Sequence, residues 1–176
     1  MHALKPILRI PGRGRLMWTP DEGEAIRPGG LVFATDLRAT LRRGDRQLDV
    51  FELGSGLVTD AGVAYMADDF TDGTTDITNF NFHSWGTSTA AATVGQTALT
   101  TPNGSRVAGA KTNPTAPVFR TIATIAAASA LSITEWGLFS ATTAGTMWDR
   151  RVFTAIVVAI NDSIEFTYSL TISSGG

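Results

Sequence analysis

The stretch that decides the fold is residues 163–174, S-I-E-F-T-Y-S-L-T-I-S-S. Ile164, Phe166, Tyr168, Leu170 and Ile172 stand at every second position. Glu165, Thr167, Ser169, Thr171 and Ser173 fill the places between. Successive side chains of a strand point to opposite faces, so this is a strand with one buried and one wetter face, as in an antiparallel sheet. Asn161-Asp162 turns the chain just before it. Upstream, M-W-D-R-R-V-F-T-A-I-V-V-A-I (147–160) reads as a second strand. Its late apolar run predicts burial on both faces. A turn over Thr142–Gly145 separates it from A-L-S-I-T-E-W-G-L-F-S-A (130–141). There Leu131, Ile133 and Glu135 fall on one face, and Ser132, Thr134 and Trp136 on the other. Gly137 is placed to form a bulge that resets the alternation. V-F-R-T-I-A-T-I-A (118–126) is a further strand.

Toward the N-terminus the pattern loosens. Residues 86–117 are rich in Gly, Ala, Thr, Asn and Pro and predict long loops, with room for one short strand. Asn103-Gly104 and Asn113-Pro114 mark turns there. I-T-N-F-N-F-H-S-W (77–85) alternates through Ile77, Phe80 and Phe82, with a slip at 78–79. His83 inside it reads as a surface or hydrogen-bonded residue. L-V-T-D-A-G-V-A-Y-M-A-D-D-F (57–70) is the one convincing helix. Thr59 or Asp60 caps it, and Val63, Met66, Ala67 and Phe70 recur at helical spacing as an apolar face. Asp72-Gly73 ends it. Residues 31–53 hold two or three short strands, with Arg43-Gly44-Asp45 where a hairpin turn belongs. A glycine turn accounts for this R-G-D without an adhesion role.

Short strands at this spacing predict a mainly β chain: an antiparallel, jelly-roll-like β-sandwich over residues 31–176 with one short helix. Residues 1–30 read as an extended N-terminal arm. Pro6, Pro11, Pro20, Gly12 and Gly14 interrupt any periodicity there. Ile7, Leu8, Ile10, Leu16, Met17 and Trp18 are apolar anchors that favour packing, on the arm's own domain or on a neighbouring subunit. Arg9, Arg13, Arg15 and Trp18 are the candidate partner-binding residues. Arginines pair with carboxylates, and interface energy concentrates in Trp and Arg.

Composition narrows the chemistry. Of 176 residues, 43% are hydrophobic and 17% charged, which argues against a disordered chain. Fourteen Lys and Arg stand against 16 Asp and Glu, so the whole chain is no general polyanion binder and direct nucleic-acid binding is not expected. The charge is uneven: the first fifty residues carry nine bases and six acids, and residues 1–20 four bases and no acid. With no Cys there is no disulfide, thiolate nucleophile or zinc–thiolate site. Two His, His2 and His83, leave little for a His-based triad or a multi-His metal site. Nucleotide-binding, nucleophile-elbow and zinc-protease motifs are missing. Asp68, Asp69, Asp72 and Asp76 cluster at a helix end without EF-hand spacing and read as solvated carboxylates. Glu135 and Asp149 could pair as in a glycosidase, but a salt bridge from Glu135 to Arg150 or Arg151 on an adjacent strand is the plainer reading. No catalytic residue, metal or cofactor is expected, and the chain is not expected to be an enzyme. The longest apolar stretch, Phe153–Ile160, is too short to span a bilayer as a helix. The N-terminus lacks a secretory signal's apolar block, so synthesis in the cytoplasm and no membrane partner are expected.

Three segments carry a family resemblance: L-V-T-D-A-G-V-A-Y-M-A (57–67), I-T-N-F-N-F-H-S-W-G-T-S-T (77–89) with the following Q-T-A-L, and I-T-E-W-G-L-F with M-W-D-R-R-V-F and the closing I-E-F-T-Y-S-L-T-I. The set resembles β-rich virion proteins of tailed bacteriophages. It is similar to head decoration (cement) proteins and to the N-terminal modules of tail-collar fibre proteins. In such fibres the T-D-A-G-like helix lies near the chain start and a long shaft follows. Here 56 residues precede Leu57 and only four follow Ile172. The resemblance therefore implies a cement protein. Such a protein would form a trimer over gaps between major capsid proteins, bind them and copies of itself, and reside in the virion. A tail or collar component is the first alternative. A glycan-binding module using Trp85, Trp136 and Trp148 is the second.

Overall fold

A computed structural model of the protein describes residues 30–71 and 76–175. The arm expected over residues 1–30, with Arg9, Arg13, Arg15 and Trp18, lies outside the described residues, apart from Gly30 at the first strand's start. The chain divides into two compact units, one of which is Phe33–Ile172. That unit is an antiparallel β-sandwich. One sheet has the strand order β2-β1-β10-β7-β6, the other β3-β9-β8-β4-β5. The strands are β1 (Gly30–Arg43), β2 (Arg46–Gly54), β3 (Leu57–Val58), β4 (Phe82–Gly86), β5 (Pro102–Ala108), β6 (Ala110–Thr112), β7 (Val118–Ala126), β8 (Leu131–Phe139), β9 (Met147–Val158) and β10 (Asp162–Gly175). One helix, α1 (Asp60–Asp69), interrupts them.

The deciding stretch behaves as its alternation requires. Ile164, Phe166, Tyr168 and Leu170 of β10 are buried, and β10 pairs with β7 from Ser163↔Ala126 to Thr171↔Val118 without a slip. Their side chains meet those of the second sheet. The Tyr168 ring stacks on Trp136 at 5.4 Å, and Phe166 meets Trp85 at 6.3 Å edge to face. Aromatic pairs at such separations add to the burial that holds two sheets together. The first hairpin also follows the sequence. β1 and β2 close at Arg43↔Arg46 around Gly44, whose φ of +55° suits glycine. Arg43 donates through Nε and Nη2 to both oxygens of Asp162, at 2.7 and 3.0 Å, so the arginine of the R-G-D is bound within the domain.

The departures have local causes. The helix starts at Asp60, because Leu57 and Val58 pair with Arg150 and Asp149 as β3. Thr59 is the cap, accepting from the Gly62 N–H at 3.0 Å. Its inward face is Gly62, Tyr65 and Met66, not Val63, Ala67 and Phe70; Val63 and Phe70 are exposed. Gly62 decides this. A Cβ there would lie 3.0 Å from the Trp148 Cα, so the helix backbone sits directly on β9. Ile77–Asn79 forms a 3-10 turn capped by Asp76, which explains the slip at 78–79, and the strand begins only at Phe82. Residues 86–117 hold two strands, not one. Asn103-Gly104 lies inside β5, where Gly104 at φ +72° makes a bulge between the His83 and Trp85 pairings. In β8 the slip falls between Ile133 and Glu135 and again at Leu138/Phe139, so Trp136 joins Ile133 in the core instead of opposing it. In β9 the late apolar run alternates: Ile156 and Val158 are buried, while Val157 is 69% exposed.

Candidate functional site

The buried polar groups come first, because in a β-sandwich each one needs a partner. Glu135 on β8 and Arg150 on β9 are both fully buried. Arg150 donates to Glu135 Oε2 through Nη2 at 2.7 Å and Nε at 3.0 Å. The expected Glu135 salt bridge is thus made by Arg150. The pair also ties down the loop between β4 and β5. Glu135 accepts from the backbone N–H groups of Thr101 at 2.7 Å, Thr100 at 3.2 Å and Ser88 at 3.4 Å. Arg150 donates to Gln96 Oε1 and to the Ala90 carbonyl. The loop closes over the outer face of its sheet, where Leu99 packs with Phe139 and Met147. Every Glu135 lone pair in reach is taken by a structural donor, and composition alone gave no hint of that loop anchor.

His83 is hydrogen-bonded in the interior. Trp136 Nε1 donates to its Nδ1 at 3.2 Å, and its Nε2 lies 3.2 Å from Thr121 Oγ1. The tautomer with hydrogen on Nε2 satisfies both contacts. Burial pushes its pKa down to about 3, so the imidazole stays neutral. Asp76 accepts from the Thr78 N–H, which uses one of the clustered carboxylates as a cap. No group of three metal-ligating side chains occurs among the described residues. Trp85, Trp136 and Trp148 are each 2% exposed or less and offer no surface platform for a sugar.

Asp149 is the exception. It is fully buried under Gly56, and no donor meets its carboxylate oxygens in good hydrogen-bond geometry. Burial lifts its pKa to about 6; the Tyr168 and Thr35 hydroxyls and the Arg151 cation offset part of that rise. Tyr168, which accepts from Trp148 Nε1 at 2.8 Å, is pushed well above the usual phenol range by the same burial. The charged triplet Asp149-Arg150-Arg151 in an apolar strand is the signal that could have located this group in the sequence.

What the domain offers outward is apolar side chain and strand edge. Leu48, Val63, Phe70, Val94, Val157 and Ile160 are exposed. β2 ends its sheet, and β3 covers β9 only at Asp149 and Arg150. Beyond that corner Phe51, Glu52 and Leu53 face Arg151, Val152, Phe153 and Thr154 across an open cleft of about 590 Å³. Arg151 Nε is buried there without an acceptor. A second, smaller apolar cavity of about 160 Å³ lies at Phe80, Phe119, Trp148 and Ile172. No described helix is long and apolar enough to cross a membrane. Comparison with known proteins gives no match among family models, curated proteins or solved structures.

Proposed function

We propose that the protein is a non-enzymatic structural component of a tailed-bacteriophage particle, a decoration protein that binds between major capsid proteins and copies of itself and stabilises the shell. The observation that carries this reading is where the polar groups and the apolar surface go. Glu135, Arg150 and His83 are consumed inside the sandwich, while strand edges unpaired among the described residues and apolar side chains face outward. A surface of that kind suits association with protein. The three segments that resemble virion proteins support it further. They fall on β3, α1, β4, β8, β9 and β10, and five of those six belong to or pack on one sheet. On a symmetric lattice many weak contacts add through avidity.

The arm is assigned the partner contact, through Arg9, Arg13, Arg15 and Trp18. Deleting residues 1–20 is expected to leave the sandwich folded, with unchanged circular dichroism, and to abolish binding to particles stripped of the protein. Full-affinity binding by the truncated chain would remove the arm from the account.

A further inference from the structure

Two strand edges in the described domain lack a partner, and they border the same cleft. β2 is outermost in its sheet. Among the described residues β9 pairs with nothing on its outer side beyond Arg150. Free edges present rows of N–H and C=O groups that template another strand, and folded chains guard them with charge, proline or bulges. β9 past Arg151 reads V-F-T-A-I-V-V, with no charge, proline or glycine. Phe51, Leu53, Val152 and Phe153 supply the apolar part of the cleft's lining, and Glu52, Arg151 and Thr154 the polar part.

We propose that this cleft receives an extended segment from residues 12–19 of a second copy of the chain, added as a strand between β2 and β9. The inference rests on the reading of the protein as one that assembles with copies of itself. Sequence and charge single out the occupant. Residues 1–20 carry four bases and no acid, whereas residues 30–176 carry nine bases and thirteen acids. Opposite charge draws the one to the other. Proline cannot donate to a ladder, and 12–19 (G-R-G-R-L-M-W-T) is the run between Pro11 and Pro20 that is free of it. It brings Leu16, Met17 and Trp18 to the side chains of Phe51, Leu53, Val152 and Phe153, and Arg13 and Arg15 to Glu52. At ~3.3 Å per residue, eight residues extend about 26 Å, enough to follow the uncharged stretch of β9.

The chain has no cysteine, so engineered pairs report cleanly. Full-length Met17→Cys is mixed with full-length Thr154→Cys under mild oxidant. A disulfide in that mixture joins two chains. The expected result is linked dimer in several-fold excess over a mixture using Thr112→Cys, which lies on β6 at the far edge of the same sheet as β2. Glu52→Cys, across the cleft, is a second position and is expected to behave like Thr154→Cys. Equal linkage to Thr112→Cys, or no linkage at either cleft position, overturns the proposal. So does linkage that forms only when both cysteines share one chain. Specific cross-linking in a protein that proves absent from virions would keep this inference and sink the virion reading alone.

Discussion

Asp149 is buried, and the desolvation of its carboxyl couples folding to pH. Its carboxyl titrates at about 6 in the folded chain against 3.8 when exposed. Between those values the folded state keeps the proton and the unfolded state releases it. Stability therefore falls as pH rises from 3.8 to about 6, and is flat above that window. About two pH units correspond to ~3 kcal/mol. His83 acts with the opposite sign. Its pKa drops from 6.5 to about 3 on folding, so stability falls as pH drops through that range. Asp149→Asn should separate the two. In urea titrations at about pH 4 and pH 7, the variant should gain up to ~3 kcal/mol on wild type at the higher pH. Parallel pH profiles would contradict the assignment. Arg150→Met tests the neighbouring pair. It leaves Glu135 buried without its cation, and should cost ~3–5 kcal/mol and speed amide exchange across residues 87–101. A loss below ~1 kcal/mol would mean that the backbone N–H groups alone hold Glu135. The Glu135 bridge was legible in the sequence because charged residues on an apolar strand need partners. The burial of Asp149 was not, because it depends on Gly56 closing over the carboxylate.

At the scale of elements, strands with strict alternation were legible almost to the residue, as β7 and β10 show. Elements failed where a backbone approach overrode side-chain pattern. The helix is the clearest case. Its apolar spacing pointed to Val63 and Phe70, but Gly62 sets the contact by letting the backbone meet Trp148. Gly62→Ala tests this. Alanine favours helix by ~1 kcal/mol at an unconstrained site. Here its Cβ would meet the Trp148 Cα and Cε3 at 3.0 Å, so a net loss of ~1–3 kcal/mol is expected in thermal or urea unfolding. A stabilised variant would show that the helix has room to shift. Bulges are the other failure. Gly104 and the slip after Ile133 each reverse which side chains face the core, and a period-2 reading cannot place them. In β9 the apolar run was misread because Val157 points to the outer face of its sheet, which no described element covers there, while Ile156 and Val158 point to the core.

At the scale of the whole molecule, composition and strand spacing were enough to reach the antiparallel sandwich. Strand order was beyond them, and with it the cleft between β2 and β9. An unpaired edge is a property of the assembled sheets and has no local signature. The candidate binding residues Arg9, Arg13, Arg15 and Trp18 lie outside the described residues, so the function rests on resemblance and on the domain's outward surface. The direct test is the copy number of the protein in purified particles from its source, by quantitative mass spectrometry against the major shell protein. A decoration protein should approach one copy per shell subunit. A handful of copies would place it at a tail, collar or vertex, and its absence from the particle would contradict the account.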